Sequence, residues 1–192
     1  MDQSPPSRSS DKGRDSAHGV GGLRWPEEAG PWLVGFSHGP DSTLLLALAF
    51  EHCRAAGLPL PVAVHVDHAL RAESAAEAEA ARAFAAQLGV GFVSERVEAP
   101  ANESEARRAR HRVFARAQSE HGASCVLLGQ HRDDQRETVL FRLLRGSGPL
   151  GLAGMRWRTL LHTPSRLVLV RPLLPLTRAE IAAELRRRGM RW

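Results

Sequence analysis

From Trp32 onward, short apolar runs alternate with longer amphipathic stretches, and no other feature constrains the chain as strongly. Residues 32–36, 62–66, 91–97 and 125–129 read as strands. Several are apolar at successive positions, so both faces must be covered, as in a parallel sheet flanked by helices. Between them, Ser74-x-x-Glu77, Asn102-x-x-Glu105 and Thr177-x-x-Glu180 each place a capping oxygen three residues before a carboxylate, which marks a helix start. A strand-helix unit repeated four times predicts a doubly wound α/β domain, with a mostly parallel sheet, helices on both faces and right-handed crossovers. Ligands of such sheets sit beyond the carboxyl ends of the strands.

The 192 residues suffice for one such domain and a tail. Residues 1–30 are rich in Ser, Pro, Gly, Arg and Asp, a composition that cannot bury enough surface to offset ordering entropy, and read as a disordered leader. Residues 31–192 form the expected domain. The 26 basic residues include a single lysine, Lys12. Arginine suits phosphate, so a nucleotide or RNA partner fits, although a GC-rich coding bias produces the same excess. Cys53 and Cys125 lack CxxC spacing, which argues against a zinc site or a disulfide framework. No apolar stretch reaches membrane-span length, and the expected location is the cytoplasm, without membrane association.

The polar motifs cluster after the strands. Ser37-His38-Gly39-Pro40-Asp41-Ser42 follows the first, where a helix N-terminus offers amides and a favourable dipole to phosphate and Asp41 suits a magnesium ion. A plain Ser/Asp helix cap is the competing reading. His65, Asp67, His68 and Arg71 follow the second strand, with His65 also readable as a satisfied core histidine. Arg107 and Arg110 share one face of the helix capped by Asn102, either a functional pair or a solvated stripe. After the fourth strand come Gly129-Gln130-His131, Asp133, Asp134 and Glu137, then Arg145-Gly146 and a glycine-rich run to Gly154. Carboxylates three and four apart on one helix face repel by roughly 0.2–0.5 kcal/mol per pair, and a cationic ligand would offset this. Arg171-Pro172 leads into a helix expected over 178–188.

Taken together, these segments resemble the PP-loop ATP pyrophosphatases, whose loop reads S-G-G-x-D-S, and among them the tRNA(Ile)-lysidine synthetases. The likeness lies in V-D-H-x-L-R-x-x-S at 66–74, A-R-x-x-R at 106–110, G-x-H-x-D-D-Q-x-E-T at 129–138 and R-P-L-L at 171–174. The chain departs from it at His38 (a glycine in the family), His111 (an aromatic) and Gln130 (a histidine). The resemblance implies the adenine nucleotide alpha hydrolase-like fold, with C-terminal tRNA-binding domains beyond this chain. It implies ATP and Mg2+ held by Ser37, His38, Gly39, Pro40, Asp41, Ser42, Asp67 and His68, with Asp41 as the metal ligand. It assigns substrate contacts to Arg71, Arg110, His131, Asp134, Glu137, Arg145 and Gly146, and catalysis to Asp41, Arg110, Asp134 and Glu137.

The implied reaction has two steps. The wobble cytidine of tRNA(Ile), in its CAU anticodon, attacks the α-phosphate of ATP to give an adenylated cytidine, and the ε-amine of L-lysine then displaces AMP to form lysidine. A general base must deprotonate the amine, with His68 or His131 as candidates. In the same reading the glycine-rich run lets backbone approach nucleotide or tRNA, and a homodimer is a further expectation. Two other readings compete: a metal-dependent phosphoesterase built on Asp67, His68, His131, Asp133 and Asp134, and a domain that binds nucleotide or RNA without catalysis.

Overall fold

The computed structural model describes residues 20–28, 30–67, 74–146, 148, 151–161 and 166–192. Six strands form one sheet: β1 (Trp32–Gly35), β2 (Val62–Asp67), β3 (Gly91–Arg96), β4 (Cys125–Leu127), β5 (Arg158–Leu160) and β6 (Val168–Val170). Their order is β3-β2-β1-β4-β6-β5, parallel except where β5 pairs antiparallel with β6. The four strands read from sequence are present, with ends displaced by one or two residues. β5 and β6 were not anticipated. Each has three residues, too few for a periodicity to stand out.

Alternation along β1 shows how the layers arise. Trp32, Val34 and Phe36 enter one core with α1 (Pro40–Ala56), α2 (Ser74–Leu88) and α5 (Arg178–Arg187). Leu33 enters the other core with Val113, Phe114 and Ala117 of α3 (Glu103–Glu120). Nine residues of α1 are buried, including Leu44, Leu45, Leu46 and Leu48, each leucine stabilising the fold by roughly 1.5–3 kcal/mol. α4 (Arg132–Leu144) has no buried residue.

Two of the expected caps are formed. Asn102 accepts from the Glu105 amide at 3.0 Å, and Thr177 and Glu180 make a reciprocal capping box. α2 begins at Ser74 itself. Within the stretch expected as a leader, Val20, Leu23 and Trp25 pack on the core, and Trp25 stacks on Trp32 at 5.9 Å. The remainder of the expected leader, 1–19, lies outside the described residues. Among the described residues no helix is long and apolar enough to cross a membrane.

Candidate active site

The chain runs outward from β1 through β2 to β3, then returns to lay β4 on the other side of β1. The strand order therefore reverses between β1 and β4, and the loops leaving their carboxyl ends diverge there. A cleft of about 430 Å³ opens at this point. Ser37, Gly39, Asp41 and Ser42 line it from the β1–α1 loop, Gly129, Gln130 and Asp134 from the β4–α4 loop, and Arg107 and Arg110 from α3.

The β1–α1 loop is tied to the first turn of α1 through the Ser42 side chain. Ser42 Oγ donates to the Gly39 carbonyl at 3.1 Å and accepts from the Ser37 amide at 3.2 Å. The N-cap of α1 is Gly39, and no side chain caps the helix. The simple Ser/Asp cap is thus absent, and the positive end of a well-buried helix is left to face the cleft. Pro40 occupies the first turn, where its missing N–H costs nothing.

His38 has φ +60°, the left-handed conformation that a glycine adopts freely. Its ring packs on Phe36 and Phe84, each at 5.8 Å, and does not line the cleft, so it is not placed to donate to a phosphate there. Burial, reinforced by His65, lowers its pKa and favours the neutral ring.

The β4–α4 loop meets the first turn of α1 at a glycine. A Cβ on Gly129 would lie 3.1 Å from the Asp41 carbonyl carbon and 3.2 Å from the Ser42 nitrogen, closer than ordinary packing allows. Next to it His131 is buried, and its Nδ1 accepts from the Asp133 and Asp134 amides at 3.2 and 3.4 Å. An accepting Nδ1 puts the ring proton on Nε2, which lies 3.6 Å from Asp41 Oδ1. His131 therefore caps α4, while its Nε2 faces Asp41 beyond hydrogen-bond distance. The ring is buried, with Nδ1 occupied by the cap and Nε2 without a hydrogen-bond partner. Asp134 completes the capping box by accepting from the His131 amide at 2.9 Å. Asp133 instead ties α4 to α5, accepting from the Arg178 amide at 2.8 Å.

Charge divides across the cleft, with the carboxylates of Asp41 and Asp134 opposite the guanidinium groups of Arg107 and Arg110. Burial raises the Asp41 pKa, Asp134 adds to the rise, and His131 and Arg178 oppose it. Burial also lowers the Arg110 pKa, as does Arg107. His111 is pushed down to about 4, by burial first and then by Arg107, Arg110 and Arg171.

Other expected site residues stand elsewhere. Asp67 pairs with Arg96 at 3.8 Å at the end of β2, outside the cleft lining. His65 is a buried histidine whose Nδ1 donates to the Phe36 carbonyl at 2.9 Å. Glu137 is exposed and outside the lining, one helical turn beyond Asp134. Arg145 is exposed, its guanidinium 4.0 Å from the Phe141 ring centroid.

Gly146, at φ +71°, ends α4, and Gly154, at φ +68°, packs under the Gln135 amide, which bonds both the N–H and the carbonyl of Met155. Gly146 thus serves helix termination and Gly154 the Gln135 clamp. His68 and Arg71 lie outside the described residues. Conversely, Gly129 and the buried Arg171 carry no site role in the sequence reading, and Arg107 enters it only as half of a functional pair or a solvated stripe.

The residues present fit a magnesium–nucleotide pair. Asp41 Oδ1 and His131 Nε2 are buried without hydrogen-bond partners, and a cation at Asp41 would relieve the repulsion between Asp41 and Asp134. Among the described residues no group of three His, Cys, Asp or Glu side chains could hold a metal ion. Magnesium is commonly held by one or two carboxylates together with substrate phosphates.

Similarity to known proteins points the same way. Over 167 residues the chain is 46% identical to the tRNA(Ile)-lysidine synthase of Pseudomonas syringae, covering 85% of this chain and 36% of that protein. It is 47% identical over 162 residues to that of Solibacter usitatus, covering 83% and 34%. The chain thus spans about a third of the length of these relatives. Among solved structures, the U34-tRNA thiolase NcsA from Methanococcus maripaludis superposes with a TM-score of 0.69 at 17% identity, over 84% of this chain and 57% of that one. The NH3-dependent NAD synthetase of Campylobacter jejuni gives 0.54, also at 17% identity, over 85% and 66%; both likenesses concern the fold. The PP-loop domain family matches residues 17–192, and with the cleft at the β1/β4 switch point and the loop at 37–42 the chain belongs to that family.

Proposed function

We propose that this domain is the catalytic part of a tRNA(Ile)-lysidine synthetase, a ligase that uses ATP and Mg2+ to join L-lysine to the wobble cytidine of tRNA(Ile). The observation that carries the reading is the division of the cleft, in which an uncapped helix N-terminus and Asp41 face Arg107 and Arg110. Such a site attracts the pyrophosphate of ATP at one wall and neutralises charge developing on the α-phosphate at the other. Bound magnesium supplies further charge neutralisation at the departing pyrophosphate. Asp41, with His131 Nε2 beside it, would hold the cation, and the Ser37–Ser42 pair keeps the loop in shape for the phosphates.

Arg110 stands closest to the role of stabilising the reacting centre, and Asp134 lines the cleft where an ammonium group can approach its carboxylate. Glu137 belongs to lysine recognition only if the amino acid reaches past the cleft along α4. With Asp134→Asn and Glu137→Gln together, the proposal expects adenylation of tRNA to outlast lysine transfer. Cytoplasmic location and a homodimer are parts of the same proposal. Against a binding domain without catalysis, the reading is supported by His38, which adopts a positive φ open to glycine and keeps its ring off the cleft lining.

The direct test is incorporation of labelled lysine into tRNA(Ile) by the longest natural form of the protein, with and without ATP. Incorporation that requires ATP supports the proposal. Pyrophosphate release without lysine incorporation would move the chain to another PP-loop chemistry, and the absence of both would leave a binding domain.

A further inference from the structure

Arg171 sits at the end of β6, 3% exposed, and no carboxylate pairs with it among the described residues. Neutral oxygens solvate the charge instead: its Nη1 donates to the Arg156 carbonyl at 2.9 Å and to Thr159 Oγ1 at 3.0 Å. Its Nε donates to Gln130 Oε1 at 2.6 Å. A buried cation is stabilised better by a carboxylate than by an amide. If stabilising Arg171 were all that position 130 did, glutamate would do it better.

The amide has a second end. A guanidinium only donates, so the atom of Gln130 facing Arg171 must be the oxygen, and the NH2 group necessarily points the other way. Gln130 lines the cleft beside Gly129 and Asp134. The cation behind the amide draws density from its oxygen and strengthens the N–H groups as donors. The facing wall carries Arg107 and Arg110, so an acceptor entering between them is favoured if it is an anionic oxygen.

We propose that Arg171 is a positioning residue that fixes the Gln130 amide, and that Gln130 donates from its NH2 group to a phosphoryl oxygen of the bound nucleotide. The assignment rests on the nucleotide reading of the cleft. It gives the departure at position 130 a function: an amide donor, aimed from behind by an arginine and insensitive to pH, stands where the resemblance has an imidazole.

The test measures the affinity of the full chain for ATP, inorganic pyrophosphate and adenosine by titration calorimetry, with melting temperatures alongside. Gln130→Glu keeps the contact to Arg171 and reverses the group offered to the cleft. It should retain or raise the melting temperature and lower ATP affinity by about tenfold or more, while adenosine affinity stays within about twofold. Gln130→His should restore ATP binding and make it strengthen as pH falls through the imidazole range, a dependence the wild type lacks. Arg171→Lys, which removes the Nε donor and keeps the charge, should weaken ATP more than adenosine. Unchanged ATP affinity in Gln130→Glu, or equal losses for ATP and adenosine, overturns the assignment alone. A wild type that binds neither ATP nor pyrophosphate overturns the nucleotide reading and this inference with it.

Discussion

Two helices bring their N-termini to the same cleft and treat their unpaired amides in opposite ways. α1 has a glycine N-cap with no side-chain bond and nine buried residues behind it. α4 has a full capping box from His131 and Asp134, no buried residue, and Leu140, Phe141, Leu143 and Leu144 exposed along its second half. Burial holds α1 in place, so its end can be left to a ligand. α4 lacks that anchor and is held through its first turn: His131 and Asp134 cap it, Asp133 ties it to α5, and the Arg132 amide donates to the Leu176 carbonyl at 2.7 Å. One terminus is thus free for chemistry because the core holds the helix, and the other is occupied because the core does not.

The sharpest way to break this comparison is at Asp41. Asp41→Ala should not lower the melting temperature of the ligand-free protein, and it should reduce ATP-dependent pyrophosphate release by about 10²-fold or more, the scale on which a group stabilising transition-state charge acts. Normal release in that variant would mean the α1 terminus needs no carboxylate.

Next in size is the cap of α4. His131→Ala leaves the Asp133 and Asp134 amides without their acceptor and should cost about 1–3 kcal/mol in denaturant unfolding, with amide exchange accelerated first in α4. Equal acceleration in α1 and α4 would show that the two termini are not independent.

A smaller effect separates the carboxylates of the two first turns, which shift in opposite directions. Asp41 is raised, mainly by burial, so its stabilising contribution is complete below its unfolded pKa of about 3.8 and is lost as pH rises through the folded value. Asp133 is lowered, mainly by the Arg178 amide, so its contribution is present above the unfolded pKa and lost as pH falls through the folded one. Asp41→Asn should therefore raise the melting temperature of the ligand-free protein at neutral pH, and Asp133→Asn should lower it. Both differences should vanish in strong acid. Thermal melts across pH 2–7 check the signs, and a fall with both substitutions would refute the account of Asp41.

The smallest expected effect is at His38. Glycine relieves a left-handed conformation costing about 1–2 kcal/mol for a residue with a Cβ but loses the ring contacts with Phe36 and Phe84. His38→Gly should shift stability by less than about 1 kcal/mol and keep ATP affinity, as calorimetry would show. A large affinity loss would give the ring a part in the cleft that its packing does not indicate.

Local signals in the sequence determined much of this molecule. The alternation from Trp32 onward carried the parallel sheet, Asn102 and Thr177 announced their helices, and the polar motifs after the first and fourth strands marked loops that line the cleft. These are readable because each rests on residues a few positions apart, where propensity, capping and pleat act directly. Only the tertiary structure decided which loops meet. Gly129 touches the first turn of α1 because β4 lies beside β1, and the same return of the chain turns the His131 ring towards Asp41. β6, too short to show a period, leads into the buried Arg171 that orients Gln130 across 41 positions of sequence. Asp67 and Glu137 belong to fitting motifs yet stand outside the cleft, because a motif fixes residue types and spacing while strand end and helix turn fix direction. Such contacts depend on the order of strands in the sheet, which no local pattern encodes.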